Sequence, residues 1–337
     1  MPTYKKQCPY CGTGNPLDSA RCIECGKLIR RFASSIRETS GTIPLETPGE
    51  EPPSAVDEST PARAKYQMEV TSLSPLHKIE LEGPVVYEVE PVLSKPDLLY
   101  LAGITAAELI TALVSPLGGI IFHISILLGL VYHASIAGGS RQKLYLTLAL
   151  APLIRLISMS MPLTNFPQIY WYAIIAVPLL LATFGIIRRL NFSLPDIGFT
   201  LNRIPLQVLV VFAGIPFGIV EFYILRPDSL ISELSWQAAL VPGLILMIGT
   251  GFTEEVVFRG VMQRSAVEAI GEWGWVYVAG VFAALHIGYL SVLDVAFVFV
   301  IGLFFGWIVK KTGSILGVSL SHGLANITLY LVMPFLV

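Results

Sequence analysis

The run Thr253-Glu254-Glu255-Val256-Val257-Phe258-Arg259 closes an apolar segment, 237–258, of the length that crosses a bilayer. A spanning helix needs about 20 mostly apolar residues. Each carboxylate carried to membrane depth costs roughly 2.5–3.5 kcal/mol even on lenient insertion scales. Two adjacent carboxylates at such a place are more than packing alone would justify. Helical positions four apart share a face, so Glu255 and Arg259 make a natural intrahelical ion pair, while Glu254 points about 100° away. One carboxylate is then neutralised by the arginine and the other stays available. Taken alone, an intramembrane Glu–Arg pair is as readily structural as functional.

Outward from this run the chain divides into two regions. The whole is 54% hydrophobic and only 14% charged, with a mean hydropathy of +0.68, well beyond a soluble domain. Residues 1–96 hold 11 Lys and Arg and 13 Asp and Glu, a normal soluble density, whereas 97–337 hold 11 of each sign between long uncharged runs. Apolar segments of spanning length fall at about 98–115, 117–137, 144–161, 168–187, 205–225, 237–258, 274–290, 292–309 and 314–336. The expected fold is therefore an all-α polytopic membrane protein of about 8–9 transmembrane helices, over residues 97–337, behind a small soluble head. The first two segments are joined at Pro116 and can also be read as a helical hairpin that does not fully cross. A net charge of −2 gives no nucleic-acid footprint.

The basic residues fall in alternate loops. Arg141 and Lys143, then Arg188, Arg189 and Arg203, then Arg264, then Lys310 and Lys311 are all on one side; the loops at 162–167 and 289–291 have neither Lys nor Arg. The loop 226–236 sets Arg226 against Asp228 and Glu233. By the positive-inside rule the N-terminus is expected in the cytoplasm. The start of the chain, Met1-Pro2-Thr3-Tyr4-Lys5-Lys6, lacks the apolar core of a signal peptide.

All four cysteines lie in the head, as Cys8-Pro9-Tyr10-Cys11-Gly12 and Cys22-Ile23-Glu24-Cys25-Gly26. The two-residue gap lets both sulfurs face one ion, and the glycine permits the turn that aims backbone amides at them. Cys8, Cys11, Cys22 and Cys25 resemble the ligands of a zinc ribbon over residues 1–30, with a structural zinc. Paired disulfides are the competing reading; vicinal pairs with no other cysteine in the chain fit thiolate ligation better, and iron suits the same four sulfurs. A closed four-sulfur site leaves no open position for catalysis, so the ribbon is expected to be structural or to contact a cytoplasmic protein. Residues 31–96 read as a linker: 34–64 is rich in Ser, Thr, Pro and Glu, and 66–93 alternates in a way that suits a short strand pair or the membrane surface.

Two later segments each bring a histidine. His286 stands in Phe282-Ala283-Ala284-Leu285-His286, where small alanines let another helix approach, and His322 precedes Asn326 by one turn in Ser321-His322-Gly323-Leu324-Ala325-Asn326. Carboxylate, imidazole, imidazole and amide on separate spans are the groups needed to activate water inside a bilayer. The ordered set Glu-Glu-x-x-x-Arg, Phe-x-x-x-His and His-x-x-x-Asn resembles the CAAX-protease and bacteriocin-processing family of intramembrane proteases, which includes the type II CAAX prenyl endopeptidases. The resemblance covers about 237–330, with the core of that fold expected at about 205–337.

The resemblance implies an endopeptidase acting on a membrane-associated or lipidated protein or peptide. Glu254 would be the general base, holding water with His286; His322 and Asn326 would donate to the oxyanion; Glu255 and Arg259 would support the site. The alternative holds a catalytic zinc on Glu254, His286 and His322 with an open position for water. His-x-x-x-Asn is not the His-Glu-x-x-His signature of zinc proteases, and Asn is a better oxyanion donor than zinc ligand, which favours the metal-free form. Two other classes compete: a non-catalytic scaffold or immunity-type protein recruiting partners through the ribbon, which intact motifs disfavour, and a proton- or ion-relaying transporter, for which paired repeats with broken helices are wanting. Glu108, Arg155 and Glu221 also fall in spans and are expected to pair inside the bundle or to border a wet cavity. Asp294, near a span end, is expected to be solvated; His123 and His133 read as packed or interfacial residues.

Overall fold

A computed structural model describes residues 5–7, 14–16, 92–161 and 163–337. Cys8, Cys11, Cys22 and Cys25, the tether 34–64 and the alternating stretch up to residue 91 lie outside the described residues. In the head, β1 (Lys5–Gln7) and β2 (Gly14–Pro16) pair antiparallel, with Lys6 opposite Asn15.

The rest is helical. Helices α1 (Lys95–Leu113) and α2 (Pro116–Ile136) are separated by a tight turn in which the Ser115 hydroxyl accepts from the Gly118 amide. They run antiparallel: Tyr100, early in α1, meets His133, late in α2, at 2.7 Å, and Glu108 faces His123. The capping box at Ser94 starts α1, with Asp97 bonding back to the Ser94 amide and gripped by Arg141. Helices α3 (Gly139–Leu148) and α4 (Leu150–Ser160) together make one span. They are followed by α5 (Gln168–Arg189) and α6 (Ile204–Leu225).

The next stretch carries the charged run. α7 (Trp236–Ile245) passes into a π-helical stretch, Leu246–Phe252, then a single α turn, α8 (Thr253–Glu255), a second π stretch, Val256–Met262, and α9 (Gln263–Ile270). The two glutamates thus sit on one α turn bracketed by wider turns, a geometry that re-aims side chains and recurs at functional sites. At Gly271, φ is 77°, which a residue with a Cβ adopts at a cost, and the chain folds back into α10 (Gly274–Ala284). α11 (Val292–Thr312) and α12 (Leu316–Ile327) complete the bundle, the latter running on as a π stretch, Thr328–Val332.

Among the described residues, eight helices are long and apolar enough to cross a membrane. The sequence segments 237–258 and 274–290 fall in one continuous stretch, 236–289, which folds back at Gly271, so the nine segments correspond to eight such stretches. Large apolar side chains such as Leu128, Leu181 and Leu209 face outward, while Glu108, His123, Glu255 and Arg259 are buried. That is the distribution a protein takes when lipid is its solvent.

Two close approaches fix the core of the C-terminal half. A Cβ on Gly251 would lie 2.5 Å from the Gly323 nitrogen, and one on Gly218 would lie 2.3 Å from the Ala325 carbonyl oxygen. Only glycine lets α12 sit this tightly against both α6 and the segment bearing the glutamates.

Candidate active site

The π stretch before α8, with α8 itself, brings Thr250 and Glu254 to the wall of a cavity of about 70 Å³; α12 brings His322 and Asn326, and the turn after α10 brings His286. A water needs about 10–15 Å³ on this measure, so there is room for several. The four expected catalytic residues, remote in sequence, thus border one small space.

The two glutamates are sorted by environment. Glu255 is fully buried, and its Oε1 accepts from Arg259 Nη1 at 2.9 Å and from His322 Nδ1 at 2.9 Å. Glu254 keeps 30% of its side chain accessible and has His322 Nε2 at 3.9 Å. The intrahelical Glu255–Arg259 pair expected from the spacing is present, and Glu254 is the free carboxylate. The bond from His322 to Glu255 was not legible in the sequence, because the partners are 67 residues apart.

The Arg259 guanidinium lies over the Phe282 ring at 4.4 Å, with Phe305 and Phe258 at 5.7 and 6.0 Å. An aromatic cage of this kind holds a desolvated cation. Phe282 in turn bonds His286 through its backbone: the ring Nδ1 is 2.9 Å from the Phe282 carbonyl. A carbonyl only accepts, so Nδ1 carries a proton, and in the neutral ring Nε2 presents its lone pair. The same reasoning gives His322 a proton on Nδ1, donated to Glu255; for its Nε2 also to donate, the ring must carry both protons. Glu255, Arg259 and Phe282 therefore lock the three motifs into one unit.

Asn326 Nδ2 donates to Thr250 Oγ1 at 2.7 Å, and that hydroxyl donates to the Leu246 carbonyl. With one amide hydrogen engaged, the second is left for the cavity. Thr250, Glu221, Tyr172, Tyr289 and Tyr330 also line the space, and the Tyr289 and Tyr330 hydroxyls are 3.4 Å apart. Of these only Glu221 had been noted in the sequence, as an unassigned charge in a span.

Behind His286 stands a second charged group. Arg155, from α4, meets Glu108 with Nε at 2.8 Å and Nη2 at 2.7 Å, and Nη2 also donates to the Leu285 carbonyl at 2.7 Å. Glu108 and His123 are fully buried, with His123 Nε2 at 3.4 Å from Glu108. Glu108 and Arg155, expected to pair inside the bundle or to border a wet cavity, pair with each other, and the pair ends on the residue preceding His286. Asp294 differs from expectation. It is fully buried, and neither carboxylate oxygen has a hydrogen-bond partner. Its position as the third residue of α11 suggested solvent; it instead continues the helix stripe of Val298, Ile301 and Phe305, which faces the cavity.

One carboxylate and two imidazoles form a donor set that zinc accepts. Among the described residues, however, no three His, Cys, Asp or Glu side chains are grouped to hold a metal ion. As placed, Glu254, His286 and His322 are not gathered into the ligand cluster of the zinc alternative.

The model of one protein family, type II CAAX prenyl endopeptidase Rce1-like, matches residues 236–328. The chain carries an Rce1-like endopeptidase domain. All three motifs lie inside the match, and the surrounding helices make the chain a multi-pass integral membrane protein with a CAAX-protease-like intramembrane endopeptidase. No curated protein and no solved structure is similar enough to the chain to extend the comparison. The Rce1-like domain does not contain α1 to α6, so Tyr172 and Glu221 reach its cavity from outside it, as Arg155 reaches the backbone beside His286.

Proposed function

We propose that Glu254 is the general base of peptide-bond hydrolysis, with His286 holding the attacking water through Nε2. Glu254 takes a proton as the water oxygen bonds to the substrate carbonyl carbon, and returns it to the leaving nitrogen as the C–N bond breaks. His322 and Asn326 donate to the oxyanion, each worth about 2.7–4 kcal/mol if it acts as such donors usually do. Glu255 and Arg259 hold His322 and Phe282 in place. The observation that carries this reading is the sorting of the two glutamates: Glu255 is sealed by two cationic partners, while Glu254, beside it, opens on the cavity shared by both histidines.

The substrate is a membrane-associated protein or peptide, prenylated or otherwise anchored, whose scissile bond enters the bundle. The basic loops support a cytoplasmic N-terminus, and Cys8, Cys11, Cys22 and Cys25 would there hold a structural zinc in a reducing compartment. A ribbon over residues 1–30 on a tether of residues 31–96 would offer a cytoplasmic protein a docking point.

The test is cleavage of a membrane-associated proteome by purified protein, comparing wild type with Glu254→Gln and reading new termini by mass spectrometry. Termini made only by wild type support the reading. Identical profiles from folded wild type and variant would overturn it in favour of a non-catalytic scaffold.

A further inference from the structure

The cavity wall carries more acid than hydrolysis uses. Glu221, from α6, also lines it, and among the described residues no hydrogen bond or ion pair engages its carboxylate. Among the described residues lining the cavity there is no Lys or Arg; Arg259 is spent on Glu255, and the ring of His322, the basic group within reach of Glu221, is bonded to Glu255 and shared with Glu254. Asp294 lies within electrostatic reach of Glu221. It is fully buried, both its oxygens are without a partner, and it stands one turn before Val298 on the stripe whose later members, Val298, Ile301 and Phe305, border the cavity.

Buried carboxylates without partners are costly in an apolar bundle, and such groups ordinarily have an opposite charge or a functional use. A proton alone would remove the charge of Asp294 and leave its oxygens still without hydrogen-bond partners. An ammonium brings three donors and a guanidinium five, together with the compensating charge. A space of about 70 Å³, with room for several waters, admits the head of such a side chain.

We propose that Glu221, backed by Asp294, forms an acidic subsite that receives a lysine or arginine side chain of the substrate near the scissile bond. This rests on the endopeptidase reading above and adds a substrate class to it. The arrangement selects peptides with a basic residue beside the cleaved bond over neutral peptides of the same shape.

The experiment uses the full-length protein in phosphatidylcholine vesicles and lipid-anchored peptides in which lysine and norleucine are exchanged through the positions flanking the cleaved bond. At one position lysine is expected to raise kcat/KM by about 30-fold or more, the scale on which buried charge pairs discriminate. Glu221→Gln and Asp294→Asn are each expected to bring that ratio close to one. A wild-type ratio near one at every position, or a ratio that both folded variants leave intact, overturns the proposal. Photo-crosslinking of the same peptides to the Glu254→Gln protein reads the preference without turnover. A crosslinking preference for lysine that Glu221→Gln abolishes sustains the subsite even if no peptide is cut, an outcome that would sink only the hydrolytic mechanism; equal crosslinking sinks the subsite.

Discussion

Replacing Arg155 by methionine cuts the tie between buried Glu108 of α1 and the turn bearing His286. Three contacts are lost: two to Glu108, at 2.8 and 2.7 Å, and one to the Leu285 carbonyl, at 2.7 Å. Glu108 is fully buried, and its remaining neighbour is His123 at 3.4 Å. Breaking a buried pair by removing one partner costs about 3–5 kcal/mol, because the other charge stays behind. An orphaned carbonyl adds roughly 1–3 kcal/mol where water cannot reach it. The expected loss is thus at least about 3 kcal/mol. The double variant Arg155→Met with Glu108→Leu should behave differently: an apolar pair of similar volume is commonly neutral in place of a buried ion pair, so only the carbonyl term persists. Reversible unfolding in mixed micelles, run as a double-mutant cycle, measures the coupling directly. Arg155→Lys should fall between, since an ammonium cannot reproduce a planar fork. Both Arg155→Met proteins should lose turnover, because the backbone beside His286 is then no longer clamped. A single variant within about 0.5 kcal/mol of wild type, the spread of ordinary surface changes, would refute the clamp, as would a coupling energy near zero.

Asn326→Ala is expected to leave partial activity, with kcat lower by about 10²–10³-fold for one oxyanion donor; Thr250→Val, which frees the Asn326 amide without removing it, should cost less, and steady-state kinetics that reverse this order would contradict the arrangement. Gly251→Ala places a Cβ 2.5 Å from the Gly323 nitrogen, so α12 must move away from Glu254. Turnover should drop while the protein still inserts, and a wild-type rate would show that the close approach is unimportant. Cys8→Ser should release zinc from the head, read by metal analysis, with cleavage by the membrane region retained. Complete loss of cleavage in folded protein would make the ribbon part of the enzyme.

The three motifs were legible because each is local. Glu255 and Arg259, Phe282 and His286, and His322 and Asn326 are four residues apart, within one helical stretch or, for His286, in the turn that ends it, where spacing translates directly into a shared face. What spacing does not carry is the contact between helices. Nothing around Glu255 announces His322, nothing around Asn326 announces Thr250, and the bond from Arg155 to Leu285 joins residues 130 apart. Asp294 was misread for a related reason: nearness to a helix end suggests water, but the stripe it belongs to turns inward. The Rce1-like match has the same local character. It ends at residue 328 and begins at 236, yet Glu221 and Tyr172 line the cavity from earlier helices, and Arg155 holds the backbone beside His286. Residues 236–328 therefore contain the proposed reacting groups without the clamp at Leu285 or the part of the cavity wall that Glu221 and Tyr172 supply. The helices before them belong to the active site as much as to the membrane anchor, and their side chains are where this chain's own substrate preference would be written.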